Sequence, residues 1–120
     1  MINLQLGVAE SRFAELVWGS EPVSTKELVT MCEKEFQWKK TTTYTVLKRL
    51  CEKGLFVNEG GTVKALISKA DFYSARSEQF VQESFAGSLP AFLTAFTAGK
   101  TLTQEEVDFL RKMVDEYEVK

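Results

Sequence analysis

The sequence predicts a mainly α-helical chain with one small β-hairpin, divided into an N-terminal domain over residues 1–70 and a helical C-terminal arm over residues 71–120. Three observations support this prediction. Apolar residues recur at helical spacing behind capping signals, a Gly-Gly pair separates two short apolar runs, and six of the nine phenylalanines lie after residue 70. At 120 residues the chain is short for two independent cores, so we expect one folding unit with an appended arm.

Two helices are predicted before residue 37. The first has an apolar stripe at i, i+4, i+7 and i+8, formed by Ala9, Phe13, Leu16 and Val17. We expect it to close at Trp18, because Gly19–Pro22 is a helix-breaking run. The second begins with a capping box of Ser24 and Glu27, preceded by Val23 as half of a hydrophobic staple. Its buried stripe is predicted to be Leu28, Val29, Cys32 and Phe36.

A third helix and then a β-hairpin are predicted to follow. Gly54 provides the C-terminal cap of the helix. Leu55–Glu59 and Val63–Ile67 then flank the turn Gly60-Gly61-Thr62, a pattern typical of a hairpin. Three helices followed by a hairpin indicate the winged form of the helix-turn-helix. The residues of the third helix that we expect to face inward are Thr43, Val46, Leu47, Leu50 and Cys51.

The outward face of the third helix combines cations with small hydroxyl side chains. Between Gln37 and Lys53 there are five cations and one glutamate, a local net charge of +4 in a chain whose net charge is −2. Cations attract phosphates and hydroxyls approach base edges, so this segment predicts a DNA-reading helix. The candidate DNA-binding residues are Lys39, Lys40, Thr41, Thr42, Tyr44, Thr45, Lys48, Arg49, Lys53 and, on the hairpin, Lys64.

The C-terminal arm is predicted to contain three helices. The first spans Asp71–Ala86 around Tyr73 and Phe80, the second has Ser88 as its N-cap, and the third begins with a capping box at Thr103. A segment of about 50 residues rarely sustains its own core, so we expect its aromatic residues to meet a second copy of the chain. The alternative is that these helices fold back on the N-terminal domain of the same chain. The candidate dimerisation residues are Phe80, Phe85, Leu89, Phe92, Leu93, Phe96, Val107, Leu110, Met113, Val114 and Tyr117.

The composition argues against catalytic and metal-binding chemistry. The chain has no histidine, the commonest general base and metal ligand. Cys32 and Cys51 lack the CxxC spacing of a zinc site and fall on apolar helix faces, so we expect buried free thiols, a reducing cytoplasm and no cofactor. The pair Glu105-Glu106 suits the first turn of a helix, so we expect no enzyme activity. No segment approaches the roughly 20 apolar residues of a membrane span, and no signal peptide is visible.

Taken together, these residues resemble the penicillinase repressor family, which includes β-lactamase, methicillin-resistance and copper-responsive repressors. The resemblance covers nearly the whole chain. In the N-terminal domain it rests on Leu6, Ala9-Glu10, Trp18, Ser24-x-x-Glu27-Leu28, Trp38, Thr42, Leu47, Arg49-Leu50 and Lys53-Gly54-Leu55. In the C-terminal arm it rests on Phe85-x-Gly87-Ser88-Leu89 and Leu102-Thr103-x-Glu105-Glu106.

The resemblance implies a homodimeric bacterial transcriptional repressor whose third helix enters the major groove of double-stranded operator DNA. The operator would be an inverted repeat, typically with TACA/TGTA half-sites. By position, the residues turned toward the bases would be Thr41, Thr42 and Thr45, and those available to the DNA backbone would be Lys40, Lys48 and Arg49. A plainer interpretation of Thr41 is that it only starts the helix.

This sequence departs from the family pattern at three places. The family usually has a cation after the glycine of its wing and a tyrosine in the second strand, where this chain has Thr62 and Leu66. It lacks the cysteine-rich CxC tail of the copper-responsive branch. The branch that responds to β-lactams is cleaved by a sensor protease, and the aligned bond would be Ala95–Phe96, although Ala95 replaces the family's asparagine.

One further function stays open from the sequence. A winged-helix module that binds protein, without sequence-specific DNA binding, is favoured by the net charge of −2 and by a hairpin with few cations. The local charge of +4 between Gln37 and Lys53 opposes this alternative.

Overall fold

The computed structural model describes residues 3–119, and this part of the chain contains six helices and one three-stranded antiparallel sheet. The elements are α1 (Val8–Ser20), β1 (Val23–Ser24), α2 (Thr25–Phe36), α3 (Lys40–Glu52), β2 (Phe56–Glu59), β3 (Thr62–Ala65), α4 (Lys69–Phe85), α5 (Leu89–Ala98) and α6 (Gln104–Glu116). Three helices followed by a hairpin form a winged helix-turn-helix, so the predicted fold class is confirmed. The chain divides into two compact units inside α4, an N-terminal unit up to Ser77 and a C-terminal unit from Glu78.

The sheet contains a strand that the sequence did not reveal. β1 pairs antiparallel with β3, Val23 opposite Val63, and the strand order is β1-β3-β2. The hairpin register places Glu59 opposite Thr62, which leaves Gly60 and Gly61 as a two-residue turn, one residue shorter than predicted. Both glycines have positive φ, +60° and +94°, and such a backbone matches the twist of the flanking strands.

The first helix is longer than predicted, and its buried face is shifted. α1 continues through Trp18 to Ser20, whose hydroxyl donates to the carbonyl oxygen of Leu16 at 2.7 Å. Ala9, predicted to be part of the apolar stripe, is exposed, and Ala14 is buried in its place. The stripe is therefore centred on Phe13 and Val17, which have no measurable exposure.

The start of α4 belongs to the core of the N-terminal unit. Phe72 is fully buried and lies 5.4 Å from the ring of Trp18, whereas Phe80, predicted as a member of the apolar stripe, is exposed. The Trp18 indole donates to the carbonyl oxygen of Ile67 at 3.0 Å. The Glu15 carboxylate accepts from Tyr73 at 2.9 Å and from Lys69 at 2.7 Å. These contacts fix the first turns of α4 against α1.

The helices of the C-terminal unit have the caps that the sequence predicted. The Ser88 hydroxyl accepts from the amide of Ala91, and Pro90 lies in the first turn of α5. In α6 the capping box is complete, because Thr103 accepts from the amide of Glu106 and the Glu106 carboxylate accepts from the amide of Thr103. α5 and α6 contain no fully buried residue.

Candidate nucleic-acid interface

The two faces of α3 are separated as the sequence predicted. The residues of α3 with buried side chains are Thr43, Val46, Leu47 and Leu50, and Cys51 is half-buried. The exposed candidates on α3 and at its N-cap are Lys39, Lys40, Thr41, Thr42, Tyr44, Thr45, Lys48 and Arg49. Burial of one stripe therefore presents all of these side chains to solvent on a single helix.

The two ends of α3 are capped differently. At the C-terminus the amide of Leu55 donates to the carbonyl oxygen of Leu50 and the amide of Gly54 to that of Cys51. Gly54 has φ +89°, so this is a Schellman motif in which glycine avoids the strain of the left-handed region. At the N-terminus Lys39 supplies no side-chain cap. Free amides and the positive end of the helix dipole therefore add to the positive charge there.

Four cations of this surface form no salt bridge with any residue in the described chain: Lys39, Lys40, Lys48 and Arg49. The Lys40 ammonium lies 5.9 Å from the centre of the Tyr44 ring, a distance at which a cation and an aromatic face attract each other. These cations are consequently available to phosphates.

Thr45, predicted to approach the bases, has its hydroxyl turned toward the helix backbone. It donates to the carbonyl oxygen of Thr41 at 2.8 Å. Because the donor proton is used, the hydroxyl oxygen is left as an acceptor and the methyl group as an apolar contact. Such a side chain suits an exocyclic amino group or the methyl group of thymine.

Lys53 differs from the other candidates, because the structure uses its ammonium internally. Its Nζ lies 2.9 Å from a Glu10 carboxylate oxygen and 2.7 Å from the carbonyl oxygen of Gln5. The Lys53 side chain is 23% exposed. The sequence did not indicate this pairing, since Glu10 lies 43 residues earlier. Contact of Lys53 with phosphate therefore stays a prediction, and it competes with this internal ion pair.

The hairpin gives little positive charge to the surface. Its one cation, Lys64, lies 3.8 Å from Glu59. The turn also contacts the start of α2, because the amide of Thr25 donates to the carbonyl oxygen of Gly61 at 2.9 Å. Lys64 has a weaker electrostatic case than Lys39, Lys40, Lys48 and Arg49, because a carboxylate partly neutralises it.

The two cysteines are free thiols. Burial raises the pKa of the Cys32 thiol, and the neighbouring Thr43 hydroxyl opposes that shift. Burial also raises the pKa of Cys51. Both groups are consequently protonated at neutral pH and poorly nucleophilic. Thr43 Oγ1 is buried and makes no hydrogen bond of ordinary geometry in the described chain.

The C-terminal unit exposes most of the residues predicted for dimerisation. Phe85, Phe92 and Val107 are half-buried, and those that are exposed are Phe80, Leu89, Leu93, Phe96, Leu110, Met113, Val114 and Tyr117. An apolar groove of about 520 Å³ lies between α5 and α6. Phe109, which was absent from the predicted set, lines this groove and is 68% exposed. A full count of apolar residues on α6 would have found it.

In the part of the chain that the structure describes, no helix is long and apolar enough to cross a membrane.

Comparison with known proteins agrees with the resemblance. The family of the penicillinase repressor matches residues 6–116. The penicillinase repressor of Bacillus licheniformis is 26% identical over 117 residues, which cover 94% of this chain and 91% of that protein. A solution structure of the Bacillus licheniformis BlaI monomeric form with the blaP half-operator is also 26% identical and has a TM-score of 0.49. That match covers 59% of this chain and 93% of the other.

Proposed function

The chain belongs to the penicillinase repressor family, and from that premise we propose that it is a DNA-binding transcriptional repressor that acts as a homodimer. The observation that carries this proposal is the outward face of α3 with its N-cap, where four cations without a salt bridge in the described chain flank Thr41, Thr42 and Thr45. Cations of this kind supply sequence-independent attraction, and the hydroxyl and methyl groups between them supply contacts to base edges.

The proposed operator is an inverted repeat. In a symmetric dimer each protomer offers one α3 to one half-site, and the two helices stand about 34 Å apart, one turn of DNA. We propose that Thr41, Thr42 and Thr45 read the major groove, while Lys39, Lys40, Tyr44, Lys48 and Arg49 contact the backbone. Repression then results from occlusion of the promoter.

Dimerisation is proposed to use the C-terminal unit. The exposed fractions of Phe80 (51%), Phe96 (50%) and Met113 (51%) are large for apolar side chains that lie on neighbouring elements. The Phe92 ring lies 6.0 Å from that of Phe80 and 5.9 Å from that of Phe96. Exposed apolar surface of this kind marks an interaction site. A second copy that covers α5 and α6 would bury these residues and fill the groove between the two helices.

Relief of repression is proposed to follow weakening of the dimer, because loss of one half-site removes most of the affinity. One route is proteolysis at Ala95–Phe96, where both side chains are exposed on α5. Incubation with a cognate sensor protease tests this route, and an intact chain would contradict it.

The experiment that tests the proposed function is selection of bound DNA from a random pool by the full chain. We expect a palindrome with half-site centres one helical turn apart. Recovery of no preferred sequence would instead favour the protein-binding winged helix, which is supported by the neutral hairpin with its Lys64–Glu59 pair.

A further inference from the structure

Lys53, the C-cap of α3, is tied by three polar contacts to Glu10 of α1 and to the segment before α1. Lys53 Nζ donates to a Glu10 carboxylate oxygen at 2.9 Å and to the carbonyl oxygen of Gln5 at 2.7 Å. In the opposite direction, the amide of Asn3 donates to the carbonyl oxygen of Lys53 at 3.1 Å. The Glu10 carboxylate also accepts from the amide of Gly7 at 3.0 Å, which completes the connection.

The Glu10 carboxylate is the centre of this arrangement. Its side chain is 14% exposed, so the ion pair with Lys53 is better protected from water than an ordinary surface pair. Hydrogen bonds from Gly7 and Lys53, with the charges of Lys53 and Arg49, lower the pKa of Glu10. The group is therefore ionised at neutral pH and keeps its negative charge at this end of α3.

The position of Lys53 gives the pair a consequence for DNA binding. α3 has thirteen residues and extends about 20 Å at a rise of 1.5 Å per residue. The major groove is about 12 Å wide and is bordered on both sides by phosphates, so a cation at the end of a helix that leaves the groove lies beside the DNA backbone. An unpaired cation at position 53 would add attraction that is the same for every sequence.

We propose that Glu10 is a specificity-determining residue of the DNA interface, because it holds Lys53 within the protein and withholds that cation from the phosphate backbone. This inference rests on the proposed DNA binding. It assigns a function to a residue on α1, outside the helix-turn-helix and the hairpin. The contacts that distinguish one sequence from another then contribute a larger share of the total affinity.

The test compares Glu10→Gln with the unchanged chain in binding to a labelled duplex of random sequence, between about 50 and 200 mM salt. In Glu10 one oxygen, Oε1, accepts from both the Gly7 amide and the Lys53 ammonium, so glutamine keeps a neutral acceptor for both and removes the charge that strengthens the bond to Lys53. We expect tighter binding to random DNA and a plot of log affinity against log salt that is steeper by about 0.9, the value of one added phosphate contact. The ratio of affinities for operator and random DNA should fall.

Two further variants make the result specific to Lys53. Lys53→Gln alone should give the same dependence of log affinity on log salt as the unchanged chain. The double variant, Glu10→Gln with Lys53→Gln, should also give the slope of the unchanged chain. Glu15→Gln is the matched control, since it removes the same charge from the same helix but frees Lys69 of α4. Thermal unfolding of each variant establishes that it is folded.

The outcomes are distinct. A lower slope in Lys53→Gln would mean that Lys53 already contacts phosphate, and it would overturn the inference. An unchanged slope in Glu10→Gln, or an equal increase in Glu15→Gln, would also overturn it while leaving the proposed function intact. Failure of the unchanged chain to bind any DNA would overturn both.

Discussion

The two units of this chain differ in how far their apolar side chains are buried. Every fully buried apolar side chain of the described chain lies between Phe13 and Phe72, within the N-terminal unit. In residues 78–119 no side chain is fully buried, although the aromatic rings of Phe85 and Phe92 lie 5.6 Å apart. The difference indicates that the first unit carries its own core, whereas the second has helices with good caps but needs an external surface to bury its apolar side chains.

The largest expected effect is a loss of stability when a buried aromatic ring is removed from the N-terminal unit. Phe56 is 1% exposed and its ring lies 5.6 Å from that of Trp18. Phe56→Ala should lower the free energy of unfolding by about 3–5 kcal/mol, because it leaves a cavity that the sheet cannot close. Urea denaturation followed by tryptophan fluorescence measures this. An equal loss for Phe96→Ala, at a concentration where the chain is monomeric, would abolish the distinction between the units.

The second effect concerns association of the C-terminal unit. Phe96 is 50% exposed, so about half of each ring remains to be buried by a partner. Half a ring from each of two protomers equals one fully buried ring, so Phe96→Ala should weaken the dimer by about 1.5–3 kcal/mol. This is roughly a 10- to 150-fold rise in the dissociation constant. Sedimentation at graded concentrations measures this. Leu66→Ala, an exposed apolar residue of the N-terminal unit, is the control, and an equal effect there would argue against a dimer through α5 and α6.

The third prediction distinguishes phosphate contacts from base contacts on the outward face of α3. Arg49→Ala should reduce the salt slope by about 0.9 on operator and random DNA alike, since it removes a phosphate contact. Thr45→Ala should change the preference between half-sites by about 0.5–1.5 kcal/mol and leave the slope unchanged. Binding titrations on both kinds of DNA measure these quantities, with Lys112→Ala of the C-terminal unit as the charge control. Equal losses on operator and random DNA for both variants would contradict this division.

The smallest expected effect is a change in stability from Thr43, on the buried side of α3. The Thr43 hydroxyl is buried without a hydrogen bond of ordinary geometry, so Thr43→Val should raise the free energy of unfolding by up to about 1 kcal/mol. Val keeps the branched shape and the volume of the side chain. Thr42→Val, at an exposed position, should change stability by less than about 0.5 kcal/mol. A loss of stability in Thr43→Val would mean that the hydroxyl has a partner in solution.

The sequence alone determined the elements that depend on neighbours within about one helical turn. The two faces of α3, the N-caps Ser24, Ser88 and Thr103, and the Gly54 cap all follow from contacts between residues a few positions apart. Such patterns are visible in a linear sequence because the helical period and the capping geometry are the same wherever a helix forms. They sufficed for the fold class and for the exposed cations of the candidate site.

The tertiary structure decided the features that depend on residues far apart. The sequence predicted Val23 only as half of a hydrophobic staple, and the fold also pairs it with Val63 as an additional strand. The sequence predicted that Lys53 contacts phosphate. Packing instead places the carboxylate of Glu10, which lies 43 residues earlier in the chain, beside the Lys53 ammonium. Neither partner has a local signal, because both contacts form only after α1, α3 and the sheet have packed around one core.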